Sequence, residues 1–313
     1  MSCDLIGLTA VSAGQTYDLN DGHNIRLLDY DLGLAAGRRL TQRFPGQFGE
    51  SDLGGIVEPR FLDIFWATWG DNKADFRTAR ELFFEVFRLR QTEPVQLIFE
   101  FEDGRRRATN INLDGALTHT EAVGNFERVS GTFRAADWRL YDPTLQTVTF
   151  GLIPDSGGLP IPFTVPIPIG GSVLNVIETI NYAGGSRLAA VEYPVIVING
   201  PIENPIIENI TTNEQLEFTA NGGLVLTVGQ YVTIDLSGFP RRDAKTIRNQ
   251  DGDSVTQYLS VDSDLATWHL SFAGERLYNG TYSDGNNEIR ILGDNVTLQS
   301  SAEIRYYNRY EAI

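Results

Sequence analysis

Arg60-Phe61-Leu62-Asp63-Ile64-Phe65-Trp66-Ala67-Thr68-Trp69, and the stretch that follows Gly70, decide how the chain folds. The decapeptide alternates. Arg60, Leu62, Ile64 and Trp66 fall on one face of a strand, and Phe61, Phe65, Ala67 and Trp69 fall mostly on the other. Large apolar groups on both faces predict a strand covered from both sides. From about Asp71 to Arg90 the apolar period changes to that of a helix. Phe76, Ala79, Leu82, Phe83, Val86 and Phe87 recur three and four residues apart, with Arg77, Glu81, Glu85 and Arg88 on the opposite side. Gly70 and Asp71-Asn72 supply a start signal, Glu93-Pro94 a stop. A helix of this kind needs a sheet to lie on.

A hairpin follows. Val95 to Phe101 is β-prone, Asp103-Gly104 has the composition of a type I′ turn, and Arg105 to Leu113 returns, starting with the basic run Arg105, Arg106 and Arg107. Such a run discourages edge-to-edge pairing of strands and offers a contact to an acidic neighbour. Gly115 to Thr120 and Phe126 to Ala135 read as further strands, and Asp137-Trp138 to Asp142-Pro143 closes the unit. Before the decapeptide, the stretch from Gly33 through Arg38, Arg39, Arg43, Phe44 and Phe48 to Gly49 lacks helical or strand periodicity. Long loops bearing large apolar groups and arginines are uncommon in compact domains and are often functional or disordered. Residues 151–170 hold Pro154, Pro160, Pro162, Pro166 and Pro168 and read as a semi-rigid connection. Beyond it, short strands include Val173 to Asn181, Val195 to Asn199, Leu224 to Leu236, Tyr258 to Leu259, Thr267 to Phe272, Glu288 to Leu292 and Ala302 to Tyr310. Turns such as Asn221-Gly222-Gly223 and Asp251-Gly252 separate them. That spacing predicts a sandwich or barrel. The fold class is therefore mainly β, with one amphipathic helix and two units.

Composition narrows the function. The chain has 313 residues and a formal net charge of −16, which opposes wrapping nucleic acid. No run of about 18 apolar residues suits a membrane helix, and the start lacks the pattern of a signal peptide. The single Cys3 excludes an internal disulfide, so a soluble protein made in a reducing compartment is expected. Of 25 basic residues only Lys73 and Lys245 are lysine. Arginine suits desolvated ion pairs and is enriched at interfaces, so the bias points weakly to assembly.

Chemistry-bearing patterns are missing. His23, His119 and His269 form no His-Glu-x-x-His arrangement, no Gly-x-Ser-x-Gly elbow precedes a helix, and no Gly-rich phosphate loop occurs. The histidines are expected to be surface or hydrogen-bonded structural residues. Paired carboxylates among 41 acidic residues have no specificity for glycoside hydrolysis. Asn249 to Asp253 resembles a calcium loop, but its twelfth position is Ser260 rather than Glu, so a plain turn is expected. We expect no catalytic residue, no metal and no cofactor.

The order of these features resembles the distal tail protein family of long-tailed bacteriophages, siphovirus-type tail components included. In the first unit the likeness rests on the arginine-bearing loop, the strand and helix, the Asp103-Gly104-Arg105 hairpin, and the close at Phe133 to Pro143, where Trp138 stands in place of the family's usual proline. In the second it rests on Tyr193 to Gly200, Asn204-Pro205, Ile210 to Thr212, Leu224 to Asp235, Asp251-Gly252, Ser263 to Leu270 and Gly285 to Ile289. The resemblance implies an N-terminal β-sandwich belt domain over 1–150, the connection 151–170, and a C-terminal galectin-like β-sandwich over 171–313. It implies a homohexameric ring in the virion tail, assembled in the host bacterial cytoplasm. That ring joins the tail-tube protein to the tail hub, with receptor-binding proteins as further neighbours, and DNA passes through its channel unbound. Arg38, Arg39, Arg43, Phe44, Phe48, Arg105, Arg106 and Arg107 are then the candidate interface residues. The alternative is a carbohydrate-binding sandwich that aids host attachment, with Tyr258, Trp268, Tyr278 and Tyr282 as candidate aromatic platform.

Overall fold

In a computed structural model, which describes residues 5–33, 36–42, 51–87, 93–152, 174–237 and 245–311, the chain is mainly β and divides into two units. Residues 1–143 with 310–313 form one, and residues 144–309 the other.

In the first unit a seven-strand antiparallel path runs Gln15–Asp18, Leu5–Ser12, Val95–Phe101, Arg106–Leu113, Phe126–Ala135, Arg60–Trp69, Ile25–Asp31. Only two residue pairs, Phe133 with Leu113 and Arg134 with Asn112, join its halves. The inner residues of both halves share one core that includes Leu8, Leu62, Ile64, Trp66, Leu97, Phe99 and Phe133. Asp103-Gly104 is not the two-residue turn that its composition suggests. Phe101 N–H donates to the Arg105 carbonyl at 3.0 Å and Gly104 N–H to the Phe101 carbonyl at 2.9 Å, and only Gly104 has a positive φ, +79°. This is a three-residue loop, a type I turn closed by a left-handed glycine.

The helix spans Lys73–Val86. Asn72 caps it, its Oδ1 accepting from Ala74 N–H at 2.8 Å and Asp75 N–H at 3.1 Å. Gly70 is required just upstream, since a Cβ there would lie 2.3 Å from Phe76 N. The Phe87 N–H still reaches the Phe83 carbonyl, and residues 88–92 lie outside the described residues, so the expected extension to Arg90 is not part of the described helix. Fourteen residues give a rod of about 21 Å. Its buried side packs aromatic on aromatic: Phe83 and Phe87 lie 5.2 and 5.9 Å from Trp66, and Phe87 4.8 Å from Phe133. Its flank is anchored where Arg80 Nε and His119 Nδ1 approach the buried Glu127 carboxylate at 3.4 and 3.1 Å, with Phe84 stacked on His119.

The second unit holds two five-stranded antiparallel sheets. One runs Gln146–Gly151, Ser301–Tyr306, Val195–Asn199, Tyr231–Asp235, Thr246–Asn249; the other runs Leu174–Asn181, Asn286–Asp294, Ile202–Asn209, Glu214–Glu217, with Val225–Leu226 beside Ile202–Asn209. Ile196, Ile198, Val232, Ile234 and Ile304 alternate inward from the first, Ile207, Leu216, Ile289 and Ile291 from the second, the pattern of a sandwich. Asn249 to Asp253 is a turn, its Asn249 Oδ1 accepting from the N–H groups of Asp251 and Asp253.

Between the strands Thr246–Asn249 and Asn286–Asp294 the chain departs from expectation. Thr256–Tyr258 is a 3-10 turn, and Thr267 to Phe272 is irregular apart from a single bridge between Glu192 and Leu270. Turn bonds replace the missing ladder, and side chains add to them. His269 is clamped between carboxylates, Nδ1 3.0 Å from Glu214 Oε2 and Nε2 2.8 Å from Glu275 Oε1. Burial disfavours the imidazolium, but hydrogen bonds and charge from Glu214 and Glu275 outweigh it and push the pKa up to about 10. Burial also opposes the Glu214 carboxylate, yet the bonds from His269 and Thr212 leave it below its ordinary range. Among the described residues, no helix is long and apolar enough to cross a membrane.

Phe83→Ala should cost about 3–5 kcal/mol through the cavity it leaves, whereas the half-exposed Phe61→Ala should cost less than about 1 kcal/mol. Urea unfolding at concentrations that exclude self-association measures both. For the clamp, a raised His269 pKa means stability fully present below its unfolded pKa of 6.5 and lost as pH climbs through about 10. A lowered Glu214 pKa means stability present above 4.5 and lost as pH falls below it. Thermal melting of His269→Gln should therefore fall furthest below the unaltered protein between pH 4.5 and 6.5, with the gap closing toward pH 10.

Candidate assembly surface and second-unit groove

The helix covers one face of the strand Arg60–Trp69, and the other is open from Phe61 to Phe65 but not at Ala67, which is buried. Phe61 and Phe65 remain 47% and 44% exposed. The two-sided cover expected from the alternation is incomplete, reaching Ala67 but not Phe61 or Phe65, because the one described helix lies on the Trp66 side. Strand register sets what surrounds the two rings. Arg134 sits beside Phe61, Thr132 and Asp31 flank Asp63, and Ser130 and Asp29 flank Phe65. Thr132 Oγ1 donates to Asp63 Oδ1 at 2.6 Å, which fixes the polar centre between the rings. Leu28, at the bulge of the neighbouring strand, adds a third exposed apolar side chain. A pair of aromatics inside a sheet, fringed by arginine and aspartate, has the composition of a protein interface.

The arginines divide. Arg38 and Arg39 do not lie in an irregular loop: Gly37–Gln42 pairs with Ser51–Val57 as an antiparallel ribbon. The backbone of this ribbon is satisfied across the pair. Arg38 Nε lies 3.8 Å from Glu58 Oε1, both groups open to water. Arg43, Phe44 and Phe48 lie outside the described residues. Arg105 pairs with Asp103, whose carboxyl is held below its usual range first by the Arg105 backbone N–H. Arg106 is exposed opposite Glu100. Arg107 must be removed from the surface list. It is buried, its guanidinium 3.7 Å over the Tyr310 ring and its Nη1 donating to the Arg106 carbonyl at 2.8 Å.

Of the four aromatics expected as a platform, Trp268 is fully buried and belongs to the core. Apolar residues in this segment turn inward though no strand carries them. Tyr258 ends the 3-10 turn, and Tyr278 is exposed at the tip of the 274–283 hairpin. Tyr282 lines an open groove of about 710 Å³ together with Phe272, Arg187, Asp284, Gly185 and Gly274. The sequence offered no signal for Arg187 or Asp284, since each is single and far in the chain from the other. Their loops meet because Gly185 and Gly285, at φ +71° and +90°, pack backbone against backbone; a Cβ on Gly285 would sit 3.2 Å from the Gly185 Cα.

No family model and no curated protein sequence matches the chain. Among solved structures it is similar to the SPP1 Dit protein, described as a paradigm of the hub adsorption apparatus in phages infecting Gram-positive bacteria. The two are 14% identical with a TM-score of 0.59, over 97% of this chain and 99% of that one. A chain of the phage P2 baseplate, in its activated conformation with Ca, is 12% identical over 98% of this chain and 99% of its own; its TM-score of 0.47 is too low to define a fold. The chain thus shares the fold of SPP1 Dit over nearly its whole length, in keeping with the expectation from the order of the sequence motifs.

Proposed function

We propose that this protein is a non-enzymatic structural adaptor of a phage tail tip, which assembles with copies of itself into a ring, a hexamer, between the tail tube and the hub and host-recognition apparatus. The first unit is the ring-forming belt and the second a galectin-like sandwich. The observation that carries this reading is the likeness to SPP1 Dit along both chains, unbroken by an inserted or missing domain. The exposed Phe61–Phe65 face supports it physically. Two partly exposed phenyl rings within a sheet represent apolar surface that a neighbouring subunit removes from water, at about 25 cal/mol per Å². In a ring each subunit uses two different surfaces, so this face need not match itself. The mixed fringe of Arg134, Asp29 and Asp31 gives the neighbour a register. Arg38 and Arg39 form the second candidate contact. Channel passage of DNA without binding agrees with a net charge of −16.

Light scattering and negative-stain micrographs of the full chain test the proposal. We expect a multi-subunit particle with a central hole, alone or in the presence of purified tail-tube protein. Phe61→Asp with Phe65→Asp should convert it to single chains without changing the melting temperature of those chains by more than about 3 °C, and Arg38→Glu with Arg39→Glu should weaken it. Single chains at micromolar concentration under every condition, tube protein included, would overturn the reading.

A further inference from the structure

We propose that Tyr310 and Glu311 form a strap that closes the core of the first unit, and that folding of the second unit is what delivers them to it. The first unit is discontinuous in sequence: residues 144–309, the whole of the second unit, intervene between Pro143 and Tyr310. What the strap meets is a pair of arginines turned inward by strand alternation. Arg60 shares a face with Leu62, Ile64 and Trp66, and Arg107 stands opposite Phe99 in the register, on the core side of its sheet. They are only 1% and 7% exposed. A guanidinium in such a place is costly unless neighbouring groups take up its donors and its charge. The strap supplies those groups. Arg60 Nη2 donates to the Glu311 carbonyl, and the Arg107 guanidinium lies 3.7 Å from the centre of the Tyr310 ring. The Nε groups of both arginines are buried without a hydrogen-bond partner among the described residues, so each cation has little else to lean on. Strand pairing sets the approach: Arg309–Tyr310 lies beside Leu140–Tyr141, whose Tyr141 is opposite Ala108, the neighbour of Arg107.

Delivery is the difficult part. With residues 144–309 as an open chain, seating Tyr310 on Arg107 closes a long loop and carries the entropy of doing so. A folded second unit removes most of that loop, because the strands at its entry and exit are partners: Gln146–Gly151 pairs with Ser301–Tyr306, Gln146 opposite Tyr306. Only a few residues on each side then separate the two parts of the first unit. The exit is also pinned within the second unit. Arg309 pairs with the buried Glu192, Tyr307 N–H donates to Glu192 Oε1 at 3.1 Å, and Arg309 N–H donates to the Tyr182 hydroxyl at 3.0 Å. Asn308 Oδ1 accepts from Ala183 N–H at 3.0 Å. Residues 307–309 are thus fixed just before the chain returns to the first unit. The device sets an order: the first unit is complete only after the second has folded, so neither enters an assembly half-made.

Hydrogen exchange of the full chain, read by mass spectrometry of its peptides, tests both parts. Tyr310→Ala should raise exchange about tenfold in peptides spanning residues 60–62, 106–108 and 140–141, and leave the second-unit strands Tyr231–Asp235 and Asn286–Asp294 unchanged. Tyr310→Phe keeps the ring face and should match the unaltered chain. In the unaltered chain under rising urea, protection at 60–62 and 106–108 should disappear no later than that of the second-unit strands. Unchanged exchange in Tyr310→Ala, a rise of equal size in both units, or 60–62 and 106–108 still protected once the second-unit strands have opened would overturn the proposal. Each readout is taken within one chain, so the strap and the adaptor role stand or fall separately.

Discussion

One helix of fourteen residues cannot cover both sides of a strand that is apolar on both. Trp66 is sealed by Phe83, Phe87 and Phe133, and this aromatic knot fixes the helix to the inner face. Once it does, Phe61 and Phe65 must stand outward on the other side. The core and the surface are thus two consequences of the same alternation. Side-chain period two forbids the strand from turning Phe61 inward without turning Leu62 and Trp66 out. A chain that keeps such a face in water keeps a site where burial by another molecule is favourable.

The second unit solves a different problem. Its irregular segment between Thr246–Asn249 and Asn286–Asp294 makes few ladder bonds, so its backbone is satisfied by turn and hairpin bonds and by the carbonyls of Glu192, Gln215 and Glu217, and side chains tie it to the neighbouring strand. Gln215 N–H donates to Asp264 and Glu217 N–H to Ser263, His269 sits between two carboxylates, and Lys245 caps the Ala266 carbonyl. Satisfied polar contacts of this kind tolerate few alternative arrangements. They fix the shape of the segment as well as adding to stability.

How much of this was legible depends on whether the signal was periodic. The helix start at Asn72 and the strands Phe126–Ala135 and Val195–Asn199 follow from caps and alternation, which are local. The open face of Arg60–Trp69 was not legible, because two apolar faces look alike until the helix chooses one. Asp103-Gly104 has the composition of a two-residue turn, and only the bonds from Phe101 to Arg105 reveal a third residue in the loop. Trp268 and Tyr282 are both aromatic, fourteen positions apart in a region without period; one is core and one is surface. Arg187 with Asp284 depends on two loops brought together by glycine-to-glycine contact, which leaves no mark in spacing.

The arginine bias also has to be read through desolvation. Arg60 and Arg107 are almost fully buried within the first unit, donating to the Glu311 and Arg106 carbonyls. In the second, Arg309 pairs with the buried Glu192 and Arg290 with Glu208. A guanidinium is weakly hydrated and can stack, so it serves at such positions where lysine would lose more solvation. Part of the preference for arginine is therefore internal and says nothing about assembly. Arg134 beside Phe61 is left exposed near an apolar face, and Arg107 is not. Residue type treats the whole basic run alike; burial separates Arg107, whose charge its own unit already takes out of water, from the positions where only a neighbouring molecule could do so.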